Sequence, residues 1–303
     1  MIKRTIYFGN PAYLSLHNAQ MIIRNPELVG DEDKTVPVED MGVMILDNKQ
    51  ITITQGLLEA LLENNVAVVT CDSSHLPTGL LLPLCGNTTQ NERFRNQMDV
   101  SLPLRKQLWQ QTMQSKISNQ AYVLNSRKGM DVSNMLFWAN SVRSGDPENI
   151  EARAAVYYWK YMFPDVENFI RDRDGVAPNN LLNYGYAILR AIVARALVGS
   201  GLLPTIGIHH HNKYNAYCLA DDIMEPYRPY VDNLVLDIIE SGMEYETIDT
   251  GLKKKFLSIP VIDVVIDGER SPLMVAVGQT TASLAKCFNG EIRRISYPSI
   301  RTE

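Results

Sequence analysis

A change of hydrophobic period near Leu80 constrains the fold of this 303-residue chain more than any other feature. Before it, short runs rich in Ile, Val, Thr and Tyr are separated by Gly, Asn and Asp turn residues. Lys3 to Phe8, Gly42 to Leu46, Lys49 to Thr54 and Val66 to Thr70 all have strand length and type. Only Leu57, Leu58, Leu61 and Leu62, within Gly56 to Asn64, carry helical spacing there. Asp47-Asn48 is a candidate hairpin turn between two of the runs. After a polar break at Gly86 to Gln90 the period becomes helical over Arg93 to Asp99, Pro103 to Leu124, Asp131 to Ser141, Asn149 to Met162, Asn180 to Val198 and Pro229 to Glu240. Asp146-Pro147 pairs a cap residue with proline at a helix start, and Gly199-Ser200-Gly201 is a stop. The expected fold class is α+β with two domains. A small β-sandwich-like domain over residues 1–80 leads through a linker over 81–90 to a larger all-helical domain over 91–303.

Composition excludes more than it selects. Hydrophobic residues at 45% and charged residues at 21% describe an ordinary globular chain. A net charge of -5 does not announce nucleic-acid binding, yet the sign is uneven. Between Asn91 and Met130, Arg93, Arg95, Arg105, Lys106, Lys116, Arg127 and Lys128 face only Glu92 and Asp99. That segment reads either as a phosphate-binding face or as a solvated helical exterior. Cys71, Cys85, Cys218 and Cys287 form no metal-binding pair and read as thiols of a reducing compartment. The start of the chain lacks the apolar core of a signal peptide, and Arg190 and Arg195 interrupt the most apolar stretch, Ala187 to Leu203. A cytoplasmic protein is expected. No P-loop, dinucleotide fingerprint, nucleophile elbow or HExxH motif occurs, which argues against kinases, dehydrogenases, serine hydrolases and common metalloproteases.

The densest chemistry is His209-His210-His211 followed by Asp221, Asp222 and Glu225. Asp222 and Glu225, three apart, share a face if a helix begins here, while Asp221 points away toward solvent. Imidazole with carboxylates suits magnesium or manganese better than structural zinc. The competing reading is a polar loop leading into a charged helix start. Glu151, at the head of its predicted helix, is by itself an ordinary first-turn acid. Tyr184 and Tyr186 fit either a core or a cleft wall.

Taken in order, several blocks resemble the CRISPR-associated spacer-acquisition endonuclease, the integrase subunit of the adaptation machinery. They are Val36 to Leu46, Ile51 to Thr54, Leu61 to Asp72, Glu151 to Ala155, Asn180 to Leu189, Gly207 to His210, and Leu219 to Asp232 with its Glu-Pro-Tyr-Arg-Pro-Tyr-Val-Asp run. The resemblance covers nearly the whole chain. Its compact length and the Glu225-Pro226-Tyr227-Arg228-Pro229 form look closest to the subtype that accompanies a Cas9-type single effector.

The resemblance implies a metal glutamate at Glu151, a metal histidine at His210, and an acidic pair in which Glu225 is the direct ligand and Asp222 the accessory acid, around Mg2+ or Mn2+. It implies attack by the 3'-hydroxyl of a short DNA fragment on a phosphodiester at the edge of a CRISPR repeat. It further implies a homodimer formed through the N-terminal domain, assembled with a small ferredoxin-like partner. Arg93, Arg95, Arg105, Lys106, Arg127, Lys128, Tyr184 and Arg228 are the candidate DNA contacts, with pairing of Arg228 to Asp222 or Asp232 the alternative for that residue. A nuclease for branched DNA and a non-catalytic DNA-binding scaffold are the rival functions.

Overall fold

The computed structural model describes residues 3–26, 33–73, 75–166 and 169–300. Its first eight strands are β1 (Arg4–Phe8), β2 (Ala12–His17), β3 (Gln20–Arg24), β4 (Lys34–Pro37), β5 (Met41–Leu46), β6 (Ile51–Ile53), β7 (Ala67–Cys71) and β8 (Pro77–Leu81), with helix α1 (Gln55–Glu63) between β6 and β7. They form two four-stranded sheets, ordered β1-β5-β7-β8 and β4-β3-β2-β6. In the first, β1, β5 and β7 run parallel and β8 is antiparallel to β7.

The apolar runs of β5 and β7 lack alternation because both faces of their sheet are covered. Met41, Met44 and Val68 pack with Leu14, Met21, Leu57 and Leu61 in a core of the N-terminal part. Val43, Ile45, Ala67 and Val69 point the other way, into the main core shared with the helices. The expected hairpin at Asp47-Asn48 does not form, because β5 and β6 lie in different sheets. The tight hairpin joins β2 to β3 through Asn18 and Ala19, at φ of 47° and 58°. Both central residues of such a turn need positive φ, and alanine in place of glycine conceals it in the sequence.

The helices are α2 (Gln90–Asp99), α3 (Leu102–Lys128), α4 (Ser133–Ser141), α5 (Ile150–Met162), α6 (Asn179–Gly199), α7 (Cys218–Met224), α8 (Arg228–Glu240), α9 (Thr250–Phe256) and α10 (Leu273–Phe288). The sequence pattern does not foreshadow α7, α9 and α10, nor a three-stranded sheet of β9 (Asp263–Ile266), β10 (Glu269–Pro272) and β11 (Pro298–Ser299) within the mostly helical part. The architecture is otherwise the expected one, an N-terminal β-sheet domain followed by a mainly α-helical one. Helix α6 is long and apolar enough to cross a membrane by length and composition, but it is a core helix. It packs against β5, β7 and β8 and against α7, α8 and α10, with 67% of its apolar window buried.

Helix α5 starts later than the Asp146-Pro147 signal implies. Asn149 takes φ 52°, and the Asp146 carboxylate accepts N–H bonds from Ile150 (2.9 Å) and Glu151 (3.0 Å). Asp146 therefore caps the helix from outside it, and Pro147 is not the first helical residue. The cap fixes the first turn, which carries Glu151.

Candidate functional site

The segment between α6 and α7 turns back on itself so that three successive amides converge on one carboxylate. Asp222, fully buried, accepts N–H bonds from Ile208 (2.7 Å), His209 (2.9 Å) and His210 (3.2 Å), and a further bond from His210 Nδ1. Only glycine fits at 207: a Cβ there would stand 2.3 Å from the His210 carbonyl and 2.7 Å from Asp222 Oδ2. Both Asp222 oxygens are thus engaged behind the histidine, and the carboxylate orients the ring instead of facing solvent. The bond from Asp222 outweighs burial and raises the pKa of His210. A donating Nδ1 leaves the Nε2 lone pair for another ligand.

The other two histidines have different places. His209 stacks on Trp109 of α3 at 4.0 Å between ring centroids, and Trp109 meets His210 edge-on at 5.6 Å. His211 is exposed and contacts the His209 carbonyl. Asp221 does not point to solvent as expected. It is buried, ion-paired to Arg190 Nε (2.6 Å) and bonded to Asn215 (2.7 Å).

Glu151 of α5 and Glu225 meet from opposite sides of one cation. Pro226 ends α7, and a single 3-10 turn over Glu225–Tyr227 leads into α8. Lys116 Nζ, from the middle of α3, lies 2.6 Å from Glu151 Oε1 and 2.6 Å from Glu225 Oε2. The first contact is a hydrogen bond; the second lacks hydrogen-bond alignment, so buried Glu225 Oε2 accepts none. Arg228 Nε stands 3.0 Å from the other Glu225 oxygen, similarly misaligned. Burial alone would raise the Glu225 pKa, but Arg228 and Lys116 bring it below the ordinary value. Burial opposes the charge on Lys116 as well, and Glu225 with Glu151 restores it, leaving its pKa raised.

Among the described residues, no three His, Cys, Asp or Glu side chains already form a metal cage; a lysine stands between two of the expected ligands. The donor types fit a hard divalent cation even so. Two carboxylates already converge on one positive charge, and the Glu225 oxygen on it is buried with an ion pair but no aligned hydrogen bond. His210, whose charge is felt at Glu225, keeps Nε2 out of its bond to Asp222.

Beside this centre a cleft of about 620 Å³ opens between the β7–β8 connection and the helices. Its walls carry Arg171, Arg173, Arg190 and Arg228 against Asp72 and Asp174, with Tyr186 and Tyr214. The Arg228 guanidinium lies over the Tyr186 ring, 4.6 Å from its centroid. Asn183, Tyr186, Ala187 and Arg190 reach the cleft from α6, at the spacing of one helix face.

The basic segment identified in the sequence contributes much less. Arg127 pairs with Asp237 and Glu240, Lys128 lies 3.5 Å from Glu240, Arg93 bonds to the Ser200 carbonyl, and Arg105 bonds to the Met98 carbonyl. Arg95 and Lys106 are exposed, and Lys116 is turned inward. Tyr184 is fully buried against Phe256, which removes it from any DNA surface. Sequence reasoning misses Arg171, Arg173, Arg190, Trp109 and the inward role of Lys116. The one sequence signal for them is Arg190, one of two arginines in a mostly apolar helix.

The chain matches the family described as CRISPR associated protein Cas1 over residues 6–251. It is 36% identical to the CRISPR-associated endonuclease Cas1 of Neisseria meningitidis serogroup C (strain 8013), over 99% of this chain and 97% of that protein. A second such endonuclease, from Francisella tularensis subsp. novicida (strain U112), is 24% identical over 85% of each. The fold is shared with a casposase bound to integration product (TM-score 0.77, 21% identity, 97% of this chain and 92% of that one) and with a Cas1 protein from Thermotoga maritima (TM-score 0.74, 17% identity, 95% and 98%). By full-length identity to one relative and a family match over most of its length, the chain belongs to the Cas1 family of CRISPR-associated adaptation endonucleases.

Proposed function

We propose that the protein is a divalent-metal-dependent DNA integrase, which inserts short DNA fragments into a CRISPR repeat array by 3'-hydroxyl attack. The observation that carries this reading is the convergence of Glu151 and Glu225 on one cation position, supported by His210, whose ring Asp222 holds through Nδ1 and whose charge is felt at Glu225. Bound Mg2+ or Mn2+ would supply a Lewis acid for the charge developing on the phosphate oxygens. Glu151, Glu225 and His210 would hold it. Asp222, shut away from substrate by its four donors, sets the tautomer of His210. Arg228 lies between Glu225 and the cleft, where it can bind a phosphate without leaving its carboxylate. The reaction is a transesterification. The incoming 3'-hydroxyl gives up its proton as its oxygen forms the new P–O bond, the target strand's P–O bond breaks, and the departing oxygen takes up a proton, so none is consumed overall.

The DNA path is assigned to the arginine cleft in preference to the outer face of α3, because Arg228 on its wall contacts Glu225 of the proposed centre and Arg173 stands exposed beside it. Contacts there are to phosphates, so affinity falls as salt rises. The chain's partners are proposed to be a second copy, joined through the N-terminal sheets over residues 1–80, and a small Cas2-like protein. A solved chain of similar fold belongs to a Cas6-RT-Cas1–Cas2 complex (TM-score 0.75, 19% identity, 35% of that chain covered). A cytoplasmic location and association with a Cas9-type effector complete the reading, the latter on the Glu225 to Pro229 form.

The test combines the protein, its small partner, a duplex with free 3' ends and a supercoiled repeat-bearing plasmid in manganese. Strand-transfer products should form, and should vanish in Glu151→Ala and His210→Ala while DNA binding survives. Cleavage without joining would favour the nuclease reading. Binding with neither reaction would leave only a scaffold.

A further inference from the structure

Lys116 occupies an unusual place for a lysine. Its side chain is 11% exposed, and its ammonium lies midway between carboxylates delivered by two different helical segments, 2.6 Å from each. A divalent ion held by those same oxygens would stand roughly 2.0–2.6 Å from them. An ammonium and a divalent ion cannot share that position, by size or by charge. The local sum is already balanced: Glu151 and Glu225 are offset by Lys116 and Arg228. Arg228 contacts the far oxygen of Glu225, lies over Tyr186 and belongs to the cleft, so it does not compete for the position between the two glutamates.

We propose that Lys116 is a built-in stand-in cation, which holds Glu151 and Glu225 together in the metal-free protein and must leave when the metal enters. The inference rests on the metal site proposed above and adds what governs its loading. Without a central cation, two carboxylates of which one is buried would repel each other, so the lysine keeps them converged before metal arrives. Its flexible four-carbon stem lets the ammonium withdraw, which a shorter or planar cation would do less readily. The cost is weaker metal binding, because each ion must displace an internal competitor.

The test uses full-length protein without DNA. Manganese affinity is measured by calorimetry and by the EPR signal of free Mn2+, for wild type, Lys116→Met and Glu151→Gln. Lys116→Met should bind Mn2+ about tenfold more tightly or better, the size of change that neighbours of a metal site make. It should also melt at a lower temperature in chelator and gain more from added Mn2+. Equal or weaker affinity in Lys116→Met, with wild-type binding that Glu151→Gln abolishes, would overturn the stand-in role and leave the metal site intact. Loss of binding in both wild type and Lys116→Met would overturn the metal site itself and the stand-in role with it. Should the variant not fold, a measurement on unaltered protein separates the same outcomes. Amine-acylation footprinting should find Lys116 protected in chelator and labelled several-fold faster with Mn2+; unchanged labelling contradicts displacement.

Discussion

Asp222 binds His210 twice, through the ring Nδ1 and through the backbone N–H, while accepting the amides of Ile208 and His209. One carboxylate therefore fixes both the loop that carries the histidine and the tautomer of its ring. An asparagine cannot reproduce this, because its single carbonyl would have to serve donors that now share two oxygens, and its amide would face backbone N–H groups. Asp222→Asn should lower strand transfer and Mn2+ affinity by about 10–100-fold. Steady-state joining rates and calorimetry check this; a variant with wild-type metal affinity would show that the ring is oriented by other contacts.

The separation of the arginine cleft from the α3 face gives a second expectation. Arg173 is exposed on the cleft wall, whereas Arg127 pairs with Asp237 and Glu240. Each lost phosphate contact reduces the slope of log affinity against log salt by about one. Arg173→Ala should show that reduction in a DNA titration from low to physiological salt. Arg127→Ala should leave the slope unchanged and lower the melting temperature slightly.

The sequence is informative where one element carries its own signal and silent where two elements have to meet. Strands β5 and β7, helix α1 and the long helices α3, α5 and α6 are readable from period and caps. Helix α10 is not, because Leu273, Met274, Ala276, Val277, Thr280, Thr281, Leu284 and Ala285 bury several of its faces and erase the stripe. The acidic and histidine residues of the site can be named through resemblance, but nothing in Glu151 alone distinguishes it from a first-turn acid. Lys116 reads as part of an outward basic face because charge in a helix carries no sign of direction. Its neighbours Trp109, Thr112, Met113 and Ile117 are buried, and the lysine follows their side of α3.

Asp232 predicts a pH effect on stability from behind the cleft wall that Tyr186 and Arg228 form. It is fully buried between the hydroxyls of Tyr158 and Tyr186, which donate to its two oxygens. Burial pushes its pKa from 3.8 up to about 7, against the opposing pull of the two hydroxyls and of Arg228. The folded protein thus binds this proton more tightly than the unfolded chain. Its contribution to stability is complete below about pH 3.8 and is lost as pH rises to about 7. The gap corresponds to roughly 4 kcal/mol as an upper bound. Asp232→Asn should flatten the melting-temperature profile between those limits, measured by thermal unfolding in a pH series. An unaltered profile would show that another group titrates there.

Lys253 and Asp47 join the two ends of the fold. Lys253 on α9 and Asp47 after β5 are 206 positions apart, 4% and 1% exposed, and 2.6 Å from each other. Asp47 also accepts from Tyr7 (2.6 Å) and contacts His75 Nδ1 (2.8 Å). Burial alone would raise its pKa, but Lys253, Tyr7 and His75 bring it below the ordinary value. Its pairing therefore stabilises the fold above the unfolded pKa and is lost as pH falls through the lowered one. Lys253→Met leaves Asp47 buried without its cation and should cost about 3–5 kcal/mol. Adding Asp47→Asn removes the stranded charge and should recover part of that loss. Urea unfolding of both single variants and the double variant measures the coupling; additive losses would show that the pair does not bind the N-terminal sheet to α9.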